Sequence, residues 1–275
     1  METASTPPVE AVTSDPKSRT KHNSTSRQIR GSSLMLVGRT ISMVANFAIQ
    51  VLIVRYLSKA NYGAFAYAMS FVTLGQTIAT FGLDRAITRF VPIYHERRDY
   101  NKMFGTILLV IGTIVSLGTL MVLSAYAFQD VIGQTLLNEK EGDKAQVIAL
   151  LLILIGLAPV QALDDLIAAM FAIFASPRAI FFRKYILSPG LKLSVVLLLM
   201  LFGSDEFFLA SGYLAAGILG TTVYGFTLFR TLQKQQLFKE LHFKSLTVPA
   251  RELFAFTIPL LTSALVYVLM SSSDA

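Results

Sequence analysis

Two groups of polar residues stand inside stretches that are otherwise apolar, where each charge costs at least about 2.5–3.5 kcal/mol in hydrocarbon. Arg39, Asn46 and Gln50 follow one another at helical spacing, which places all three on one face of a helix. That stripe either lines a polar cavity with Arg39 as an anion anchor, or leaves Arg39 snorkelling to nearby headgroups. Asp164 and Asp165 lie beyond Pro159 in a second apolar stretch, and Lys192 follows Pro189-Gly190 in a third. A carboxylate in a dry site binds a proton or a sodium ion, so the two aspartates are candidates for ion coupling; their competing role is to pair with a neighbouring cation. Adjacent helical residues point about 100° apart, so at most one aspartate is expected to face a cavity squarely. Lys192 is expected either to pair with one of these aspartates or to snorkel.

The elements that must hold these residues are membrane helices. Hydrophobic residues make up 53% of the 275-residue chain and charged ones 15%, with a mean hydropathy of +0.58. Seven apolar stretches stand out, at 32–55, 62–82, 103–128, 147–174, 179–203, 207–229 and 253–273. Each is near or above the roughly 20 residues that cross a hydrocarbon core about 30 Å thick. With the N-terminus in the cytoplasm, that side carries Lys17, Arg19, Lys21, Arg27 and Arg30, then Arg85, Arg89, Arg97, Arg98 and Lys102. It also takes Arg178, Arg183 and Lys184, and finally Arg230, Lys234, Lys239, Lys244 and Arg251. The other side holds only Arg55, Lys59, Lys140 and Lys144. The asymmetry of basic residues orients the chain, N-terminus inside.

Net charge +7 needs no nucleic-acid partner here, because topology itself demands basic cytoplasmic loops beside an anionic leaflet. The absence of cysteine excludes disulfides and thiol chemistry, and the three histidines lack ligand spacing, so no metal or other cofactor is expected. No phosphate-binding loop and no nucleophile paired with a base are present, and the longest outer loop, about Gln129–Gln146, is too short for a catalytic domain. The chain is expected not to be an enzyme.

The expected organisation is all-α. Residues 1–30 read as a disordered cytoplasmic tail, being rich in Ser, Thr and Pro. Residues 31–230 form a six-helix transmembrane lobe of three hairpins, with tight turns at Ser58–Asn61 and Gly203–Glu206. Residues 231–252 form a cytoplasmic linker, amphipathic in part through Leu232, Leu237, Phe238 and Leu241. Residues 253–275 form a seventh helix, read as the start of a truncated second lobe.

Several short runs carry a resemblance. Gly38-Arg39, the run Leu52–Gly63 with its Arg55-Tyr56-Leu57 and Tyr62-Gly63, Phe81-Gly82-Leu83 followed by Ala86–Phe90, Ala175–Arg178, and Arg251–Leu253 with Ile258-Pro259-Leu260 occur in an order and spacing similar to Wzx-type O-antigen or exopolysaccharide flippases. These belong to the multidrug/oligosaccharidyl-lipid/polysaccharide superfamily. The resemblance spans about residues 27–275. It implies a helical bundle of two six-helix lobes around a cavity, and movement of undecaprenyl-pyrophosphate-linked oligosaccharide to the outer leaflet of the cytoplasmic (inner) membrane by alternating access. It also implies that Arg39 faces the cavity, as a first-helix arginine does in the related lipid II flippases. The implied partners are the lipid-linked oligosaccharide, membrane lipids and the polysaccharide polymerase and chain-length machinery, with a proton or sodium gradient as the drive. The competing readings are a multidrug or cation antiporter of the same superfamily, and an inactive fragment or assembly partner.

Overall fold

The computed structural model describes residues 16–136, 141–174, 180–203, 205–237 and 247–273. Among these every regular element is helical, and six helical stretches are long and apolar enough to cross a membrane: Met35–Tyr56, Lys59–Glu96, Tyr100–Ala127, Lys144–Phe174, Phe182–Phe202 and Glu206–Lys234.

The first helix, α1 (Pro16–Tyr56), starts well before the first apolar stretch. The expected structureless tail is therefore corrected in its second half, while residues 1–15 lie outside the described residues. α2 (Lys59–Thr80) begins directly after the turn because the Ser58 hydroxyl accepts from the Asn61 backbone N–H at 3.1 Å and caps it. Phe81 and Gly82 then adopt left-handed φ values of 51° and 67° and break the helix. The segment beyond Gly82, a basic loop by its arginines, is instead α3 (Leu83–Glu96). Its Leu83, Ala86, Ile87, Val91 and Tyr94 are buried, whereas Arg85 and Arg89 are exposed. The arginines obscure this 3.6-residue apolar period.

α4 (Tyr100–Ala127) is capped by Asp99, which accepts from the Lys102 N–H. The outer loop contains a short helix, α5 (Gln129–Leu136). α6 (Glu141–Leu154) and α7 (Leu157–Phe174) make one span interrupted at Ile155-Gly156, with Pro159 in the first turn of α7, where it costs no internal hydrogen bond. A π-helical turn, Phe182–Leu187, leads into α8 (Ser188–Phe202). Gly203 ends α8 at φ 61°, and Asp205 caps α9 (Glu206–Lys234) by accepting from the Phe208 N–H.

α10 (Ala250–Ser273), the seventh apolar stretch, packs its N-terminal half on α2, α3 and α4. There Phe254 meets Phe81 edge-on, and Arg89 lies 4.6 Å from the centre of the Phe256 ring. Leu232 and Leu237 of the expected amphipathic linker are buried in the same cluster; Phe238 and Leu241 lie outside the described residues.

The apolar core falls into two clusters. One gathers Val72, Leu154, Ala158, Val196 and Tyr213 with their neighbours toward the Ser58 and Gly203 turns. The other gathers Ala79, Ala162, Leu166 and Tyr224 with α3, α4 and α10. Between them on α2, α7 and α9 fall Gln76, Gln161 and Gly217, so the bundle has a polar waist.

A candidate polar cavity at mid-height of the bundle

Small residues make room at this waist. A Cβ on Gly217 would sit 2.5 Å from Cδ1 of Leu157, so α9 and α7 approach closely here and a larger residue would have to displace the leucine end. The space beside that contact is a cavity of about 220 Å³ lined by α2, α7, α8, α9 and the π turn. Gly217 is eleven residues into α9, about 16 Å from its start at 1.5 Å per residue, which is midway through the span.

α7 contributes both aspartates. Asp164 forms an ion pair with Arg183 of the π turn and accepts a hydrogen bond from the Thr221 hydroxyl at 3.4 Å. Asp165, one step round the helix, accepts from the Gln76 side-chain amide at 2.5 Å. Both line the cavity. The α7 residues that line it, Leu157, Val160, Gln161, Asp164 and Asp165, follow the spacing of one helical face, broad enough to include both aspartates.

The charge pattern of the sequence puts Arg183 among the cytoplasmic loop cations. The structure buries it to 7% exposure and sets its guanidinium carbon 3.3 Å from the centre of the Tyr224 ring. Tyr224 is held in turn by stacking on Phe171, with ring centres 4.2 Å apart. A π turn carries one extra residue per turn and often marks a functional position; here it carries Arg183. The sequence held a signal, since Arg183 precedes Leu187 and Leu191 by one and two helical turns and shares their cavity-lining face, whereas its neighbour Lys184 is exposed.

Lys192 enters from α8. Its ammonium lies 5.8 Å from the Tyr213 ring, and among the described residues it makes no ion pair. The aspartate partner expected for it is taken by Arg183. The cavity therefore carries two cations and two carboxylates: one pair is closed on itself, one carboxylate is held by an amide, and one lysine lacks a counter-ion among the described residues.

α1 contributes no described residue to this lining. Arg39, Asn46 and Gln50 are exposed along it, Asn46 donating to the Ser42 carbonyl at 2.8 Å and Gln50 to the Tyr62 hydroxyl at 3.4 Å. The structure brings Asp164, Asp165 and Lys192 together and leaves the α1 stripe on a separate surface.

A family model described as polysaccharide biosynthesis protein matches residues 29–275. The chain belongs to this family. It matches no curated protein and no solved structure. As a polysaccharide biosynthesis protein with six helices among its described residues able to span a membrane, it is a multi-pass membrane protein with a role in making or moving polysaccharide. The family match covers all the elements that build the cavity.

Proposed function

We propose that this polysaccharide biosynthesis protein is a flippase of the Wzx type, which carries undecaprenyl-pyrophosphate-linked oligosaccharide from the cytoplasmic to the outer leaflet of the cytoplasmic membrane by alternating access. The observation that carries this reading is Lys192, a cation without a counter-ion among the described residues, facing a polar cavity at mid-height of the bundle beside the buried Arg183. The polyprenyl chain of such a substrate is at ease in lipid, whereas its pyrophosphate loses hydration on crossing. Charge-assisted hydrogen bonds from Lys192 and, on rearrangement, from Arg183 replace that hydration. Arg39, Asn46 and Gln50 are assigned to a further substrate-binding surface on α1, since a polar stripe on a membrane helix has to meet something polar. Asp165 is assigned to coupling to a proton or sodium gradient. The N-terminus is placed in the cytoplasm on the basic-residue asymmetry, and the polymerase and chain-length machinery are proposed as downstream partners.

The test is export in a strain lacking its own polysaccharide flippase, comparing the wild type with Lys192→Gln and Lys192→Arg at equal membrane abundance. Lys192→Gln is expected to cut surface polysaccharide more than tenfold, and Lys192→Arg to restore most of it. Wild-type export by Lys192→Gln overturns the reading. The antiporter reading is favoured by one observation, that Asp165 faces the cavity on an amide alone. It predicts efflux of organic cations that Asp165→Asn abolishes, with polysaccharide export untouched.

A further inference from the structure

We infer that Asp164 is the resting counter-ion of Arg183, and that a pyrophosphate group entering the cavity takes its place. The inference rests on the anionic substrate proposed above.

A buried arginine must be neutralised at all times, because an unpaired guanidinium in an apolar setting is costly. In the empty cavity Asp164 supplies that charge, and the face of Tyr224 supports the guanidinium from another side. An anion drawn in by Lys192 meets Arg183 with its ion pair already closed, so binding is an exchange of one anion for another. Three features suit exchange better than a permanent structural tie. Asp164 is only partly buried, its side chain 31% exposed, while the side chain of Arg183 is 9% exposed. Among the described residues the one further hydrogen bond to the Asp164 side chain is a long one from Thr221. Arg183 also sits on a π turn at the entry to α8, an irregular turn of the kind frequent at functional positions. An internal anion of this kind keeps affinity moderate: without it the substrate is bound too tightly to be released on the far side.

The experiment is titration of the purified chain, in nanodiscs of zwitterionic lipid, with inorganic pyrophosphate. Asp164→Asn is expected to bind pyrophosphate about tenfold tighter than the wild type, within the usual range of coupling between two sites, while exporting less polysaccharide in cells. Thr221→Val loosens the hold on Asp164 without baring a charge and so survives if Asp164→Asn fails to fold; it is expected to tighten binding about threefold, on the same scale of coupling. Unchanged or weaker binding in the variants that fold overturns the exchange. Lys192→Gln, titrated alongside, separates the two claims. If it weakens binding while Asp164→Asn and Thr221→Val leave it unchanged, the anchor stands and the exchange falls. If it has no effect while those variants tighten binding, the exchange stands and the anchoring role of Lys192 falls.

Discussion

The side-chain amide of Gln76 on α2 donates to Asp165 on α7 at 2.5 Å, so one carboxylate of the adjacent pair is satisfied without any cation. This leaves Asp165 able to take a proton or a sodium ion without first breaking an ion pair, unlike Asp164. In proteoliposomes, Asp165→Asn is therefore expected to transport at a rate that no longer responds to an imposed proton or sodium gradient, with residual downhill flux retained. Flux measured with and without the gradient checks this. A gradient response equal to that of the wild type removes Asp165 from the coupling role.

A second polar cluster lies at the end of the bundle with the Ser58 and Gly203 turns. Glu206, 6% exposed in the first turn of α9, accepts from Asn61 of α2 at 2.6 Å and from Gln146 of α6 at 2.5 Å. Gln146 also donates to the Asn61 side-chain oxygen at 3.2 Å. The three helices are thus tied through one buried carboxylate. Glu206→Ala takes an acceptor from each amide, leaving Gln146 only its bond to Asn61, and is expected to destabilise the protein by about 1–2 kcal/mol, the cost of stranding partly buried polar groups. Replacing Asn61 and Gln146 by Ala on that background is expected to cost much less than on the wild type. Thermal unfolding in detergent, arranged as a double-mutant cycle, reads the difference; purely additive costs contradict the shared tie.

The spans and the charged cavity residues were legible in the sequence for one reason: hydrocarbon penalises charge, so Asp164, Asp165 and Lys192 stand out against their apolar neighbours. Their partners were not legible. Gln76 is neutral and raises no such flag, and it meets Asp165 only because α2 packs on α7. Arg183 was hidden by position, since a cation near a helix start reads as a loop residue until the π turn is seen to rotate it inward. α3 was hidden in the same way, by arginines on the exposed face of an amphipathic helix. The stripe of Arg39, Asn46 and Gln50 shows the converse. Its period is plain, but period fixes only a shared face and says nothing of what that face meets.

Tyr224 presents its ring to Arg183 at 3.3 Å. Tyr224→Phe keeps the ring and the stacking on Phe171, whereas Tyr224→Leu removes both. The loss expected for Tyr224→Leu is about 2–3 kcal/mol, combining a desolvated cation–π contact with an aromatic pair. Tyr224→Phe is expected to lose less than half of that. Unfolding midpoints in detergent give the order; equal losses in the two variants shift the weight to the phenol hydroxyl.

Gly118 of α4 faces the ring of Pro159 at the start of α7, and a Cβ there would collide with the proline Cβ. The proline ring cannot rotate aside, in contrast to the flexible leucine end that a Cβ on Gly217 would meet. Gly118→Ala must then push α4 and α7 apart, and is expected to cost about 1–3 kcal/mol, the usual range for overpacking. Because Pro159 opens the helix that carries both cavity aspartates, the same displacement is expected to lower export along with the unfolding midpoint. Pro159→Gly on that background removes the colliding Cβ and is expected to recover part of both. Recovery of neither shows that α4 and α7 are kept in place by contacts other than this one.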